Sequence, residues 1–119
     1  SLRRTRIPLI WTAGAIRAPP RIATLCHQTD LAATLPGQLG FRHNDFRFSR
    51  DVLSRTYTHP SAVYSWPEGL WYLDGSGQTV LNLMTKPVSI SMEQPAPSAT
   101  RADNAKAFLQ TIYDDLGAR

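Results

Sequence analysis

The stretch that decides the fold is Leu70-Trp-Tyr-Leu-Asp-Gly-Ser-Gly-Gln-Thr-Val-Leu-Asn-Leu-Met84. Its apolar residues at 70, 73, 80, 81, 83 and 84 suit one face of a helix. The Gly75-Ser76-Gly77 run weakens that helix, because an interior glycine costs about 1 kcal/mol relative to alanine. A β-hairpin turning at Asp74-Gly75 competes with it, since aspartate followed by glycine is a hairpin signal. The residues alone leave both readings open, and Pro87 ends the segment in either case.

Upstream, residues 62–69 read as a loop around Trp66-Pro67. The run Thr58-His-Pro-Ser61 closes a helix over residues 50–57, because the residue before a proline avoids the helical region. Ser49 is the expected N-cap of that helix, with Val52, Leu53 and Thr56 on one face. Phe41-Arg-His-Asn-Asp-Phe-Arg-Phe48 is a loop rich in aromatic and basic side chains. Asp30 is placed to cap a short helical turn within residues 30–40, which Pro36-Gly37 stops. Downstream, residues 87–99 are rich in proline, serine and alanine and read as an extended connector. A final helix is expected over residues 101–116, its apolar positions 102, 105, 108, 109, 112 and 116 following helical spacing. Gly117 supplies its stop.

At 119 residues the chain accommodates at most one small domain. We divide it into a basic extension over residues 1–40 and a helical body over residues 41–119. The net charge is +4, and eleven of the thirteen basic residues are arginine. Arginine holds phosphate through a planar fork of donors and stacks on bases, so this bias suits RNA. Residues 1–29 carry Arg3, Arg4, Arg6, Arg17 and Arg21 and no acidic residue. Basic, hydroxyl-bearing and acid-poor is the composition of a mitochondrial transit segment, which predicts a matrix location. Trp11 is a candidate either for stacking on a base or for seating in a protein pocket. The single cysteine, Cys26, excludes an internal disulfide. Together with His27, His43 and His59 it shows no metal-ligand spacing, so no metal or other cofactor is expected. No apolar run approaches the roughly 18–20 residues of a membrane span, and no membrane partner is expected.

Three segments in order resemble the signatures of the ribonuclease III family. Asp51-Val-Leu-Ser-Arg-Thr-Tyr-Thr-His-Pro-Ser61 is similar to the helix ending in "ALTHxS". Leu73-Asp-Gly-Ser-Gly-Gln-Thr-Val-Leu-Asn-Leu83 lies without a gap on "LEFLGDAVLxL". Ala102-Asp-Asn-Ala-Lys-Ala-Phe-Leu-Gln-Thr-Ile-Tyr-Asp-Asp-Leu-Gly117 parallels "ADxFEALIGAIYxDxG". The resemblance implies a helix over residues 70–84 and an all-α fold: a truncated ribonuclease III-like helical domain behind an extended basic N-terminal arm. Only residues 84–101 separate the second and third signatures, so at least one helix of the family is missing.

The family holds magnesium on four carboxylates, because a hard cation needs several oxygen ligands. The resemblance carries those positions onto Asp74, Gln78, Asp103 and Lys106. One acid is retained, one shortened, one neutral and one replaced by a cation, a set poorly suited to magnesium. Inactive relatives of this family serve as architectural parts of mitochondrial ribosomal large subunits. The expectation is therefore a structural, non-catalytic protein contacting rRNA and neighbouring ribosomal proteins, with a second ribonuclease III-like subunit as a further candidate partner. Arg42, Arg47, Arg50 and Arg55 join the five N-terminal arginines as candidate RNA contacts. The alternatives are a non-catalytic partner in an organellar RNA-processing complex and an accessory subunit of a respiratory complex.

Overall fold

Residues 70–84 form a hairpin, not a helix. In the computed structural model, which describes residues 5–10 and 21–119, strand β2 (Gly69–Asp74) turns through Gly75-Ser76 into β3 (Gly77–Asn82). The turn is set locally: Asp74 Oδ1 accepts from the Ser76 backbone N–H at 2.8 Å and from the Ser76 hydroxyl at 2.6 Å. Aspartate in the first turn position and glycine in the fourth favour this reversal. Trp71, Tyr72, Thr79 and Val80 add the aromatic and β-branched side chains that suit a pleated surface.

Two more strands flank the hairpin. β1 (Ser61–Trp66) pairs with β2, and β4 (Ser89–Gln94) pairs with β3, giving an antiparallel sheet in the order β1-β2-β3-β4. The expected loop at 62–69 and connector at 87–99 are thus largely edge strands. Val80 faces Met92 and Leu81 faces Ile90, so Ser91 is an extra residue that bulges β4.

The expected all-α class is overturned: the fold is mixed, a four-stranded antiparallel sheet with two helices. The helix that the ribonuclease III resemblance implies over residues 70–84 does not form. Two glycines and a turn-forming aspartate interrupt it, and its residues point alternately to the two faces of two paired strands. The helix expected at 101–116 does form, as α2 (Ala99–Gly117). It begins slightly earlier because the Ser98 hydroxyl accepts from the Arg101 N–H at 3.2 Å.

α2 covers one face of the sheet. Leu70, Tyr72, Leu81 and Ala105 make the buried centre, and Val63, Leu83, Val88, Phe108 and Leu109 pack around it. Each fully buried leucine of this kind contributes about 1.5–3 kcal/mol relative to exposure. At the margin of this core Arg101 is 2% exposed. Its Nε donates to Thr79 Oγ1 at 2.8 Å, and its Nη atoms reach Ser76 and the Ala96 carbonyl. One cation thereby fastens β3, the β2–β3 turn and the segment entering α2.

The chain divides into two compact units, Ser1–Pro60 and Ser61–Arg119, and the sheet with α2 is the second. The first contains α1 (Leu31–Gln38), entered through a 3-10 turn at Gln28–Asp30. Pro36-Gly37 does not stop α1, which runs on to Gln38. The helix expected over residues 50–57 is absent. Its place is taken by turns in which Ser54 N–H reaches the Asp51 carbonyl and Tyr57 N–H the Ser54 carbonyl, each at 3.1 Å. Asp51, Ser54 and Thr56 spend their side chains on nearby backbone or on each other, which competes with helix formation. Among the described residues no helix is long and apolar enough to cross a membrane.

Candidate nucleic-acid interface

The first unit is organised around Asp30, which is 1% exposed. Its Oδ2 accepts from the His27 N–H at 2.8 Å, which shapes the 3-10 turn. Its Oδ1 accepts from the Arg50 backbone N–H at 3.0 Å and from Arg50 Nε at 3.1 Å, while Arg50 Nη2 reaches Oδ2 at 2.8 Å. The same guanidinium lies 5.0 Å from the centre of the Tyr57 ring, and the Tyr57 hydroxyl donates to the Leu25 carbonyl at 2.7 Å. A carboxylate taken out of water is tolerable here because the cation meets it through two donors.

Asp30 does not cap α1 with its side chain. That role falls to Ser49, whose hydroxyl accepts from the Ala33 N–H at 2.7 Å. The Thr34 hydroxyl donates to the Asp30 carbonyl and accepts from the Val52 N–H at 3.0 Å. The N-terminus of α1 is thus stitched to residues 49–52. Ser49 is a cap, as its residue type suggests, but of a helix sixteen residues upstream.

Held in this way, residues 43–59 enclose an open cavity of about 640 Å³. His43, Asn44, Arg47, Arg50 and His59 give it donors, and Phe46 and Tyr57 give it aromatic faces. Arg47 lies 5.8 Å from the Phe48 ring centre. Arg42, Arg47 and Arg55 are exposed, as are Arg6 and Arg21. Arg50 is less exposed, and its guanidinium bonds Asp30 and lies over the Tyr57 ring. Arg3, Arg4, Trp11 and Arg17 lie outside the described residues.

Charge separates sharply between the two units. Residues 1–60 carry nine arginines against three aspartates, a net of +6. Residues 61–119 carry two arginines and two lysines against six acids, a net of −2. A chain-wide value of +4 conceals this.

The four positions carried over from the ribonuclease III resemblance do not assemble. Asp74 ends β2 and is occupied with Ser76. Gln78 lies on the sheet face opposite α2, accepting from Trp71 Nε1 at 2.9 Å and donating to Gln94 Oε1 at 2.6 Å. Asp103 and Lys106 are exposed on α2, away from its buried Ala102 and Ala105. Among the described residues no three histidine, cysteine, aspartate or glutamate side chains converge as a metal site would require.

Compared with known proteins, the chain matches no family model, no curated protein and no solved structure.

Sequence reasoning passed over two organising residues, Asp30 as an ion-pair centre and Arg101 as a buried clamp. Neither has a local signature, because their partners lie about twenty residues away along the chain. It also passed over the sheet face opposite α2, which presents Tyr64, Trp66, Trp71 and Met92. Tyr64 and Trp66 have ring centres 5.9 Å apart.

Proposed function

We propose that this chain is a non-catalytic RNA-binding protein whose arginine-rich first sixty residues engage the phosphate backbone. The observation that carries the reading is the charge separation, +6 over residues 1–60 against −2 over residues 61–119. A polyanion gains most from a concentrated arginine surface, through released counterions and forked hydrogen bonds. The cavity over residues 43–59 suits a single-stranded nucleotide, since donors for phosphate stand beside aromatic rings for a base. The non-catalytic part extends only to ribonuclease III-type chemistry, because Asp74, Gln78, Asp103 and Lys106 serve turn, sheet face and solvent surface.

Ribosomal large-subunit rRNA in mitochondria is the first RNA to test, although the helical scaffold that suggested it is not the fold of this chain. The test is fluorescence anisotropy of the full chain with single-stranded and duplex RNA across a salt series. Binding should weaken linearly in log–log form as salt rises. Replacing Arg42, Arg47 and Arg55 together by glutamine should make the slope on single strands shallower by about 2. Salt-independent binding, or none at low salt, would sink the proposal and favour a protein-only role such as an accessory subunit.

A further inference from the structure

The two edges of the sheet are guarded very differently. Prolines stand just outside both, Pro60 and Pro67 beside β1 and Pro87 and Pro95 beside β4, but β4 is further protected: Ser91 bulges it and it carries Glu93. The Glu93 carboxylate turns inward, accepting from the Thr79 hydroxyl at 3.2 Å. Bulges and inward charges are usual means of stopping an edge from pairing. β1 has neither. Ser-Ala-Val-Tyr-Ser-Trp is uncharged, unbulged and free of proline over residues 61–66, and it pairs in continuous register with β2.

The ladder fixes which backbone groups of β1 are open. The Leu83 N–H donates to the Glu68 carbonyl at 2.9 Å, extending the β2–β3 ladder, so even-numbered residues of this strand bond toward β3. Odd-numbered Gly69, Trp71 and Leu73 therefore bond toward β1, meeting Trp66, Tyr64 and Ala62. Val63 and Ser65 turn their N–H and C=O groups away from the sheet, and neither has a hydrogen-bond partner there among the described residues.

We propose that β1 pairs antiparallel with β1 of a second copy, on a two-fold axis through Tyr64. Val63 then exchanges both backbone bonds with Ser65 of the other copy, and Ser65 with its Val63, giving four bonds from the four groups on each strand. Only this register uses all the open groups of Val63 and Ser65 without calling on Ser61. The strand bears no charge, so a second copy meets no repulsion along it. A two-fold perpendicular to the sheet keeps the faces aligned. Both α2 helices then lie on one side, and Tyr64 meets Tyr64 across the seam, with Trp66 opposite Ala62. On the open side the aromatic faces of the two sheets become continuous. One six-residue seam is small for an interface, so the association is weak and concentration-dependent.

The test is sedimentation velocity of the full chain over a wide concentration range. Wild type should shift from monomer toward dimer. Tyr64→Lys and Tyr64→Glu should each stay monomeric with unchanged circular dichroism, because like charges then face each other directly. An equimolar mixture of the two should recover the dimer, since Lys meets Glu only across a heterodimer. Ser65→Pro, which removes an N–H that the monomer does not use, should also abolish it. A monomer at every concentration overturns the proposal. So does a dimer that survives Tyr64→Lys, Tyr64→Glu and Ser65→Pro, or a lysine–glutamate mixture that remains monomeric.

Discussion

The Arg101 guanidinium meets Thr79 Oγ1 at 2.8 Å inside the second unit, and among the described residues no carboxylate touches it directly. Its nearest compensation passes through Thr79, whose hydroxyl donates in turn to Glu93 Oε1 at 3.2 Å. The cation is instead surrounded by oxygens of Ser76, Thr79 and Ala96. Arg101→Met removes the donors and leaves the buried Thr79 hydroxyl without that partner, while Ser76 and Ala96 lie where water can reach them, so the change should cost about 1–3 kcal/mol. Arg101→Lys should recover only part of this, because an ammonium cannot span three directions in one plane. Urea unfolding followed by circular dichroism should show a lower midpoint with little change in slope.

Gly77 and Gly75 stand two residues apart and should respond differently to an added side chain. Gly77 has φ 144°, and an added Cβ would strike the Gln94 carbonyl oxygen and the Pro95 ring. Gly77→Ala should therefore destabilise the sheet by about 2 kcal/mol or more. At Gly75 an added Cβ meets nothing within 4 Å, so Gly75→Ala should fall within about 0.5 kcal/mol of wild type. Thermal melts of the two variants side by side test the turn geometry directly.

In the first unit, Asp30→Asn should be more damaging than its single lost charge suggests. The carboxylate receives four hydrogen bonds, from His27, from the Arg50 backbone and from two guanidinium nitrogens. An amide nitrogen would have to face donors at one of its two positions. Arg50 remains partly open to water, at 38% side-chain exposure, so the loss should lie near the lower end of about 3–5 kcal/mol. Hydrogen exchange read by NMR should show the Ala33 and Val52 amides, both stitched at the α1 entrance, losing protection together.

The parts of this fold that were legible in the sequence are those decided by neighbouring residues. Positions 102, 105 and 109 specify α2 by spacing alone, and Asp74-Gly75 advertises its turn without help. The hairpin was visible as one of two readings, and the family resemblance weighed the wrong way. Counting 70, 73, 80, 81, 83 and 84 omitted Trp71 and Tyr72 and hid the period-two sets Leu70/Tyr72 and Thr79/Leu81. β4 hid for a different reason: the bulge at Ser91 places Ile90 and Met92 on opposite faces, so their apparent alternation is misleading. For the candidate interface, arginine enrichment was readable, but the separation of roles among Arg42, Arg47, Arg50 and Arg55 was not. Only tertiary structure commits Arg50 to Asp30.

Cys26 offers a chemical readout of that same arrangement. Desolvation of the sulfur raises its pKa first, the Asp30 carboxylate raises it further, and the Arg50 guanidinium opposes both. The folded thiol therefore holds its proton to higher pH than the unfolded one. Since the thiolate is the nucleophile, iodoacetamide should modify Cys26 more slowly in the native chain than in urea at the same mildly alkaline pH. The linkage has a definite sign. Between the unfolded and the folded thiol pKa the native state binds more protons, so stability must fall as pH rises through that window. Below it the thiol contributes no slope. Cys26→Ala should abolish this alkaline decline while leaving stability at neutral pH nearly unchanged, as measured by denaturant midpoints across the pH series. A decline of the same steepness in Cys26→Ala would place its origin in another group.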